Sequence, residues 1–184
     1  DVSRIHALDA LPRLLEAVAG QTARTANLTG LAGPFHLSRP TIGEYVTLLE
    51  RLFLLDRVPA WHHNRMKRLV KAPKLHAGDT GLACALLRMD EAALAADRTA
   101  LGPLLETFVF QELRRQASGR DDAIAFHHFR DRDGVEVDLV LERGAHEVAG
   151  VEVKAGATVT DADFRGIRKL AEACGTKFVA GVVL

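Results

Sequence analysis

The chain of 184 residues is short of the side chains that mark a specialised class: it has two cysteines, one tryptophan, one tyrosine and two methionines. Cys84 and Cys174 each sit in an apolar helical pattern, far from a second Cys or His at metal-ligand spacing, which excludes a disulfide framework and a zinc cluster. Two isolated thiols point to a reducing, cytoplasmic compartment. No apolar run approaches the about 20 residues that cross a bilayer, and the acidic first residue followed by Arg4 and His6 is unlike a signal peptide, so a membrane is not an expected partner. The P-loop pattern G-x-x-x-x-G-K-[ST] is missing, and with it the phosphate cradle of an ATPase. The chain does not open on Met, and we read it as a piece of something longer.

Neither sign of charge dominates, since 24 Lys plus Arg balance 24 Asp plus Glu. The balance hides a division. Residues 1–80 hold 11 basic against 7 acidic side chains, so the first part carries +4 and the remainder −4. At 48% hydrophobic and 26% charged, the composition is that of a globular protein, which excludes disorder and collagen-like repetition.

In the first half, Leu8, Leu11, Leu14, Leu15, Val18 and Ala19 follow helical spacing, with Pro12 tolerable in a first turn. Asn27 caps a second short helix to Ala32, which Gly33-Pro34 stops. Ser38 caps a third, whose Ile42, Tyr45, Val46, Leu49, Leu52 and Phe53 repeat at three and four. Strands are expected over Leu54–Trp61 and Leu69–Leu75. Helix, helix, helix and hairpin is the order of a winged helix, expected over residues 1–78, in which the third helix enters the major groove and the hairpin touches phosphates. Arg39, Thr41 and Glu44 would face solvent on that helix. The hairpin carries Arg57, Arg65, Lys67, Arg68, Lys71 and Lys74 without an acid, a composition suited to phosphate contact and to DNA as partner. His62-His63 reads as ordinary loop histidines, because no carboxylate or Cys stands at ligand spacing.

In residues 79–184, a helical connection (79–100) with Asp79-Thr80-Gly81 as its cap leads to a helix after Gly102-Pro103 that runs to about Ser118. Glu106 and Glu112 fall within or beside its apolar arc, and a carboxylate there must be paired or face a wet site. Strands follow at Ile124–Phe129, Val135–Glu142 and Val148–Lys154, the first two joined by Asp131-Arg132-Asp133-Gly134. A helix over Asp161–Cys174 and a buried strand over Phe178–Val183 complete an αβββαβ order, a mixed α/β fold with helices packed on a sheet. Strand parity sets Glu136, Asp138, Val140 and Glu142 against Val135, Val137, Leu139 and Leu141. It also turns Glu152 and Lys154 to one face. Asp138, Glu152 and Lys154 then converge if the strands are neighbours, making a hard-oxygen site for Mg²⁺ or Mn²⁺ beside a lysine that can orient an attacking water. His127 and His128 are read as one core and one surface residue.

Asp138 followed by Glu152-Val153-Lys154, after a helix carrying Glu106, resembles the PD-(D/E)xK nuclease superfamily with its restriction-endonuclease-like fold. A wider resemblance covers nearly the whole chain. Leu37-Ser38-Arg39-Pro40-Thr41-Ile42, Lys71-Ala72-Pro73-Lys74-Leu75-His76 with Asp79-Thr80-Gly81-Leu82, Leu105-Glu106-Thr107-Phe108-Val109, Glu136-Val137-Asp138 and Val151-Glu152-Val153-Lys154 are similar to the DUF4143 region, the C-terminal half of prokaryotic AAA-type ATPases. The resemblance implies a winged helix and a nuclease-like domain trailing an ATPase module that lies upstream of Asp1. It places Glu106, Asp138, Glu152 and Lys154 at the nuclease motif, with Asp138, Glu152 and Glu106 as metal ligands; the winged-helix reading of the first half adds Arg39, Thr41, Arg65, Lys67, Arg68 and Lys71 as nucleic-acid contacts. The expected function is a divalent-metal-dependent nuclease, or else a non-catalytic module that binds DNA or protein and regulates the ATPase. Glu112 stays open as the alternative to Glu106.

Overall fold

The computed structural model describes residues 10–184, the side chain of Arg65 excepted. Leu8, expected to open the first helix, lies outside the described residues. Eight α-helices and two sheets form a mixed α/β architecture among the described residues, and none of the helices is long and apolar enough to cross a membrane.

The first half runs α1 (Leu11–Ala19), β1 (Arg24–Thr25), α2 (Leu28–Ala32), α3 (Arg39–Arg51), β2 (Leu55–Val58), α4 (Arg65–Arg68) and β3 (Lys74–Ala77). Local chemistry sets the helix starts. Asn27 accepts from the Gly30 amide, and Ser38 from the Thr41 amide, each satisfying one of the donors that a first turn leaves unpaired. Leu14, Val18, Leu31, Ile42, Val46, Leu49, Leu55 and Leu75 close the core between these helices and an antiparallel sheet of order β1-β3-β2. The returning strand begins at Lys74, five residues later than the expected Leu69. Residues 65–68 instead form a helical turn capped by Asn64, and Pro73 has no amide hydrogen for the ladder.

The second half continues through α5 (Thr80–Leu87), α6 (Glu91–Ala96), α7 (Arg98–Ser118), β4 (Ile124–Arg130), β5 (Glu136–Arg143), β6 (Glu147–Glu152), α8 (Arg165–Cys174) and β7 (Phe178–Val183). Helix α7 starts before Gly102-Pro103, not after it. Asp97 caps it through the Thr99 and Ala100 amides, and Pro103 rides inside at the cost of one backbone bond. The sheet order is β4-β5-β6-β7, with β7 parallel to β6.

One irregularity controls which side chains meet. His127 pairs with Val140 but Phe129 pairs with Val137, so two steps along β4 match three along β5, a bulge on β5. The simple alternation expected for β5 breaks there. Val137 packs with Val140 in the cluster of Phe129, Ile167 and Leu170, while Leu139 joins Val58, Phe110 and Val151 on the α7 side. Asp138, at the bulge, is thereby turned towards α7. Both His127 and His128 are buried, against the expectation that one is a surface residue, because β4 is covered on both faces: His127 lies at Glu142 and His128 at the Ala72 carbonyl.

Candidate functional site

The site lies where β3, α7, β5 and β6 meet. Glu106 projects from α7 and is buried, 8% exposed. Asp138 accepts the Val153 amide, just past the end of β6, through Oδ2 at 3.0 Å. Glu152, also 8% exposed, accepts from Lys154 Nζ at 2.6 Å through Oε1. The four motif positions expected from the sequence thus gather around one point. Glu112 is set aside as the alternative, since it lies half-buried on the outer side of α7 in an ion pair with Arg115 at 2.6 Å.

A fifth charged group sits among them. Lys74, 3% exposed, donates to Glu106 Oε1 at 2.8 Å and to Asp138 Oδ1 at 3.2 Å. The sequence shows it only as one of six hairpin cations. The overlooked signal is Leu75-His76-Ala77 directly after it, a short run that makes a fully buried strand. His76, wholly buried, stacks on Phe110 with centroids 4.8 Å apart and shares a hydrogen bond with Thr107 at 3.1 Å. Thr107 in turn bonds Thr22 at 2.8 Å, and Thr22 accepts the Ala77 amide at 2.9 Å. This chain of polar contacts fixes β3 against α7. His76 Nε2 points to Glu106 Oε1 at 3.8 Å without a hydrogen-bond partner among the described residues, and Glu152 Oε2 likewise has none.

The electrostatics follow from burial. Burial pushes Glu106 up to about 8, helped by Asp138 and opposed by Lys74. Burial also raises Glu152, with Asp138 adding to it and the two lysines opposing. For Lys74 and Lys154, burial disfavours the ammonium, but the facing carboxylates outweigh it and raise both. Among the described residues no group of three or more His, Cys, Asp or Glu side chains is arranged to hold a metal ion. An ammonium bridges the two carboxylates that face each other, so the residues as arranged do not fit the Mg²⁺ or Mn²⁺ that the resemblance implies.

The expected nucleic-acid contacts separate into two sets. Arg39 is exposed at the start of α3, and Thr41 is tied to its cap, sharing a hydrogen bond with Ser38 Oγ at 2.8 Å. Lys67 is exposed, and so is Lys71, whose ammonium reaches the Arg130 carbonyl at 3.3 Å. Arg65 opens α4. Arg68 is turned inward, paired with Glu142 and lying over the Trp61 ring at 5.4 Å. Arg57 is spent on Glu50 and Thr47. The patch is smaller than the sequence suggests, because Arg57, Arg68 and Lys74 serve internal partners.

Two family models match the chain. Residues 1–93 match the family described as domain of unknown function DUF8612, and residues 101–184 the one described as domain of unknown function DUF4143. The chain belongs to the DUF8612 family, and its residues 101–184 carry the DUF4143 match. The DUF4143 likeness is thereby confined to residues 101–184, and the strings Leu37–Ile42 and Lys71–Leu82 fall within the DUF8612 match. The carboxylates Glu106, Asp138 and Glu152 come from the DUF4143 part, whereas Lys74 comes from the DUF8612 part. The chain is also similar to the uncharacterized proteins Rv2008c of Mycobacterium tuberculosis and Mb2031c of Mycobacterium bovis, each 26% identical over 128 residues. That match covers 70% of this chain and 28% of each relative, so the chain spans well under half of their length. No solved structure matches significantly.

Proposed function

We propose that the chain is a nucleic-acid-binding, nuclease-like part of a larger AAA-type ATPase, a winged helix followed by a restriction-endonuclease-like domain, acting on DNA by docking. The observation that carries this reading is the loop between β2 and β3, which has the place of a wing. Its base is clamped. Trp61 N donates to His128 O at 2.6 Å, His128 N to Pro59 O at 3.0 Å, and Arg68 locks onto Glu142. Its tip is offered to solvent, with Met66, Leu69 and Val70 exposed at 71%, 78% and 83% beside Lys67 and Lys71. A cationic tip on a rigid base lowers the entropy cost of meeting a phosphate backbone. The order β1-β3-β2 behind α3 supports the winged-helix reading, and the αβββαβ order supports the nuclease-like one.

Fluorescence anisotropy with labelled duplex DNA tests the proposal. Lys67→Ala/Lys71→Ala is expected to weaken binding severalfold and to reduce the slope of log K against log salt by about two contacts. Binding unchanged by this pair, or absent in the wild type, overturns it. A second reading, metal-dependent phosphodiester hydrolysis, has the gathering of Glu106, Asp138, Glu152 and Lys154 in its favour and the Lys74 ammonium between two of them against it. It requires cleavage with Mg²⁺ or Mn²⁺ that disappears in Asp138→Ala and Lys154→Ala.

A further inference from the structure

We propose that Lys74 is the resident cation of the carboxylate cluster: the DUF8612 part supplies an ammonium that takes the place between Glu106 and Asp138 which a divalent ion would hold, and thereby closes a latent cation site in the DUF4143 part. The inference does not rest on the DNA-binding reading, which concerns other residues.

Geometry carries it first. The ammonium lies 2.8 Å from one carboxylate and 3.2 Å from the other, buried to 3% exposure, and a dication placed between them would collide with it. The second observation is what remains unsatisfied. Glu152 Oε2 and His76 Nε2 are buried at the same site without hydrogen-bond partners among the described residues, a donor set left over once the ammonium has taken its two bonds. Buried polar atoms are seldom left in that condition. Anchoring completes the case. Lys74 is paired across the sheet with Thr25 of β1 and Val58 of β2, so its backbone is held on both sides and the ammonium is tethered beside the cluster. The cluster is therefore served by a cation that cannot diffuse away.

Titration calorimetry of Mn²⁺ into the wild type, Lys74→Met and Lys74→Arg is the test. Wild type and Lys74→Arg are expected to show no saturable uptake at millimolar Mn²⁺, and Lys74→Met to bind a single ion, with binding lost again in Lys74→Met/Asp138→Asn. Saturable uptake by the wild type that is lost in Asp138→Asn overturns the proposal, since metal and ammonium would then coexist. A folded Lys74→Met that takes up no Mn²⁺ overturns it as well. Should Lys74→Met fail to fold, Lys74→Met/Glu106→Gln removes both partners of the 2.8 Å contact and poses the same question to Asp138 and Glu152. The wild-type arm decides in either case. Loss of DNA binding in Lys67→Ala/Lys71→Ala leaves these outcomes untouched, so the two proposals fail separately.

Discussion

His76 and Glu106 stand 3.8 Å apart and pull stability in opposite directions with pH. Burial, reinforced by the Lys74 and His128 charges, holds the His76 ring neutral down to about 3, whereas the unfolded chain takes up that proton near 6.5. Between those values the unfolded state binds more protons, so stability is lost as pH falls from 6.5 towards 3. His128, pushed to about 4 chiefly by burial, acts in the same direction. Glu106 has the other sign. Its folded value of about 8 lies above the unfolded 4.5, so the native state holds the extra proton and stability is lost as pH rises from 4.5 to 8. His127, lowered chiefly by burial, adds to the loss on the acid side, and Glu152, raised chiefly by burial, adds to the loss on the alkaline side, so the histidines prevail below 6.5 and the carboxyls are unopposed above it. Urea denaturation across pH 4 to 8 is expected to show maximal stability near 6.5, with a decline above it approaching about 1.4 kcal/mol per pH unit. Glu106→Gln should flatten the alkaline side, and His76→Asn should reduce the acid slope. An alkaline decline that persists undiminished in Glu106→Gln would refute the assignment. A carboxylate within or beside an apolar arc is visible in the sequence, but helical phase puts Glu112 nearer the middle of that arc, and only the family resemblance selects Glu106. His76 and Lys74 are not visible there, since their burial depends on strands from distant parts of the chain.

The same divide runs through the elements. Caps are local, and Asn27, Ser38 and Asp79 each make the amide contact that the sequence leads one to expect. The turn at Asp131–Gly134 is local too: Asp131 accepts the Asp133 and Val135 amides, and Gly134 takes the positive φ of 78° that a glycine tolerates. The bulge on β5 is not local. It exists only in the pairing with β4, and it decides that Asp138 meets Lys74 and Glu106. Period-two alternation therefore brings Asp138 near Glu152 for an incomplete reason. The close seating of α8 on β5 is likewise hidden in the sequence. A Cβ at Gly166 would lie 2.0 Å from the Glu136 carbonyl oxygen, a backbone atom that cannot step aside. Gly166→Ala should cost about 3 kcal/mol or more through overpacking, measured as a fall in the urea midpoint, whereas Gly156→Ala, with open space around its Cβ, should not. Equal midpoints for the two variants would show that α8 shifts freely on the sheet.

At the scale of the molecule, the opposite charges of the halves suggest two separable units, and the contacts argue for one. Pro59–Trp61 extends β2 onto β4 through the Ala60 to His128 bridge, so one sheet hands over to the other. Trp61 packs in the second core with Phe129 and Val137. Helix α7 serves both sheets: Phe110 packs with Val58, Leu139 and Val151, while Gln111 bonds Asp56 and the Ala77 carbonyl, each at 2.9 Å. Lys74 is the partner of Glu106 and Asp138, groups that the second half would otherwise bury without it, an arrangement whose loss typically costs several kcal/mol. A boundary at residue 78 cuts all of these links. A fragment of residues 79–184 then lacks Trp61, Val58, Arg68 and Lys74 together, and leaves Glu106 and Asp138 without the Lys74 ammonium. We expect that fragment to give no cooperative thermal transition by circular dichroism, and residues 1–184 to melt in a single one at every wavelength followed. A fragment that melts cooperatively near the temperature of the longer chain would mean that the halves fold independently. The cluster would then be stable without Lys74, and its carboxylates would have to find their compensation in protonation or in water.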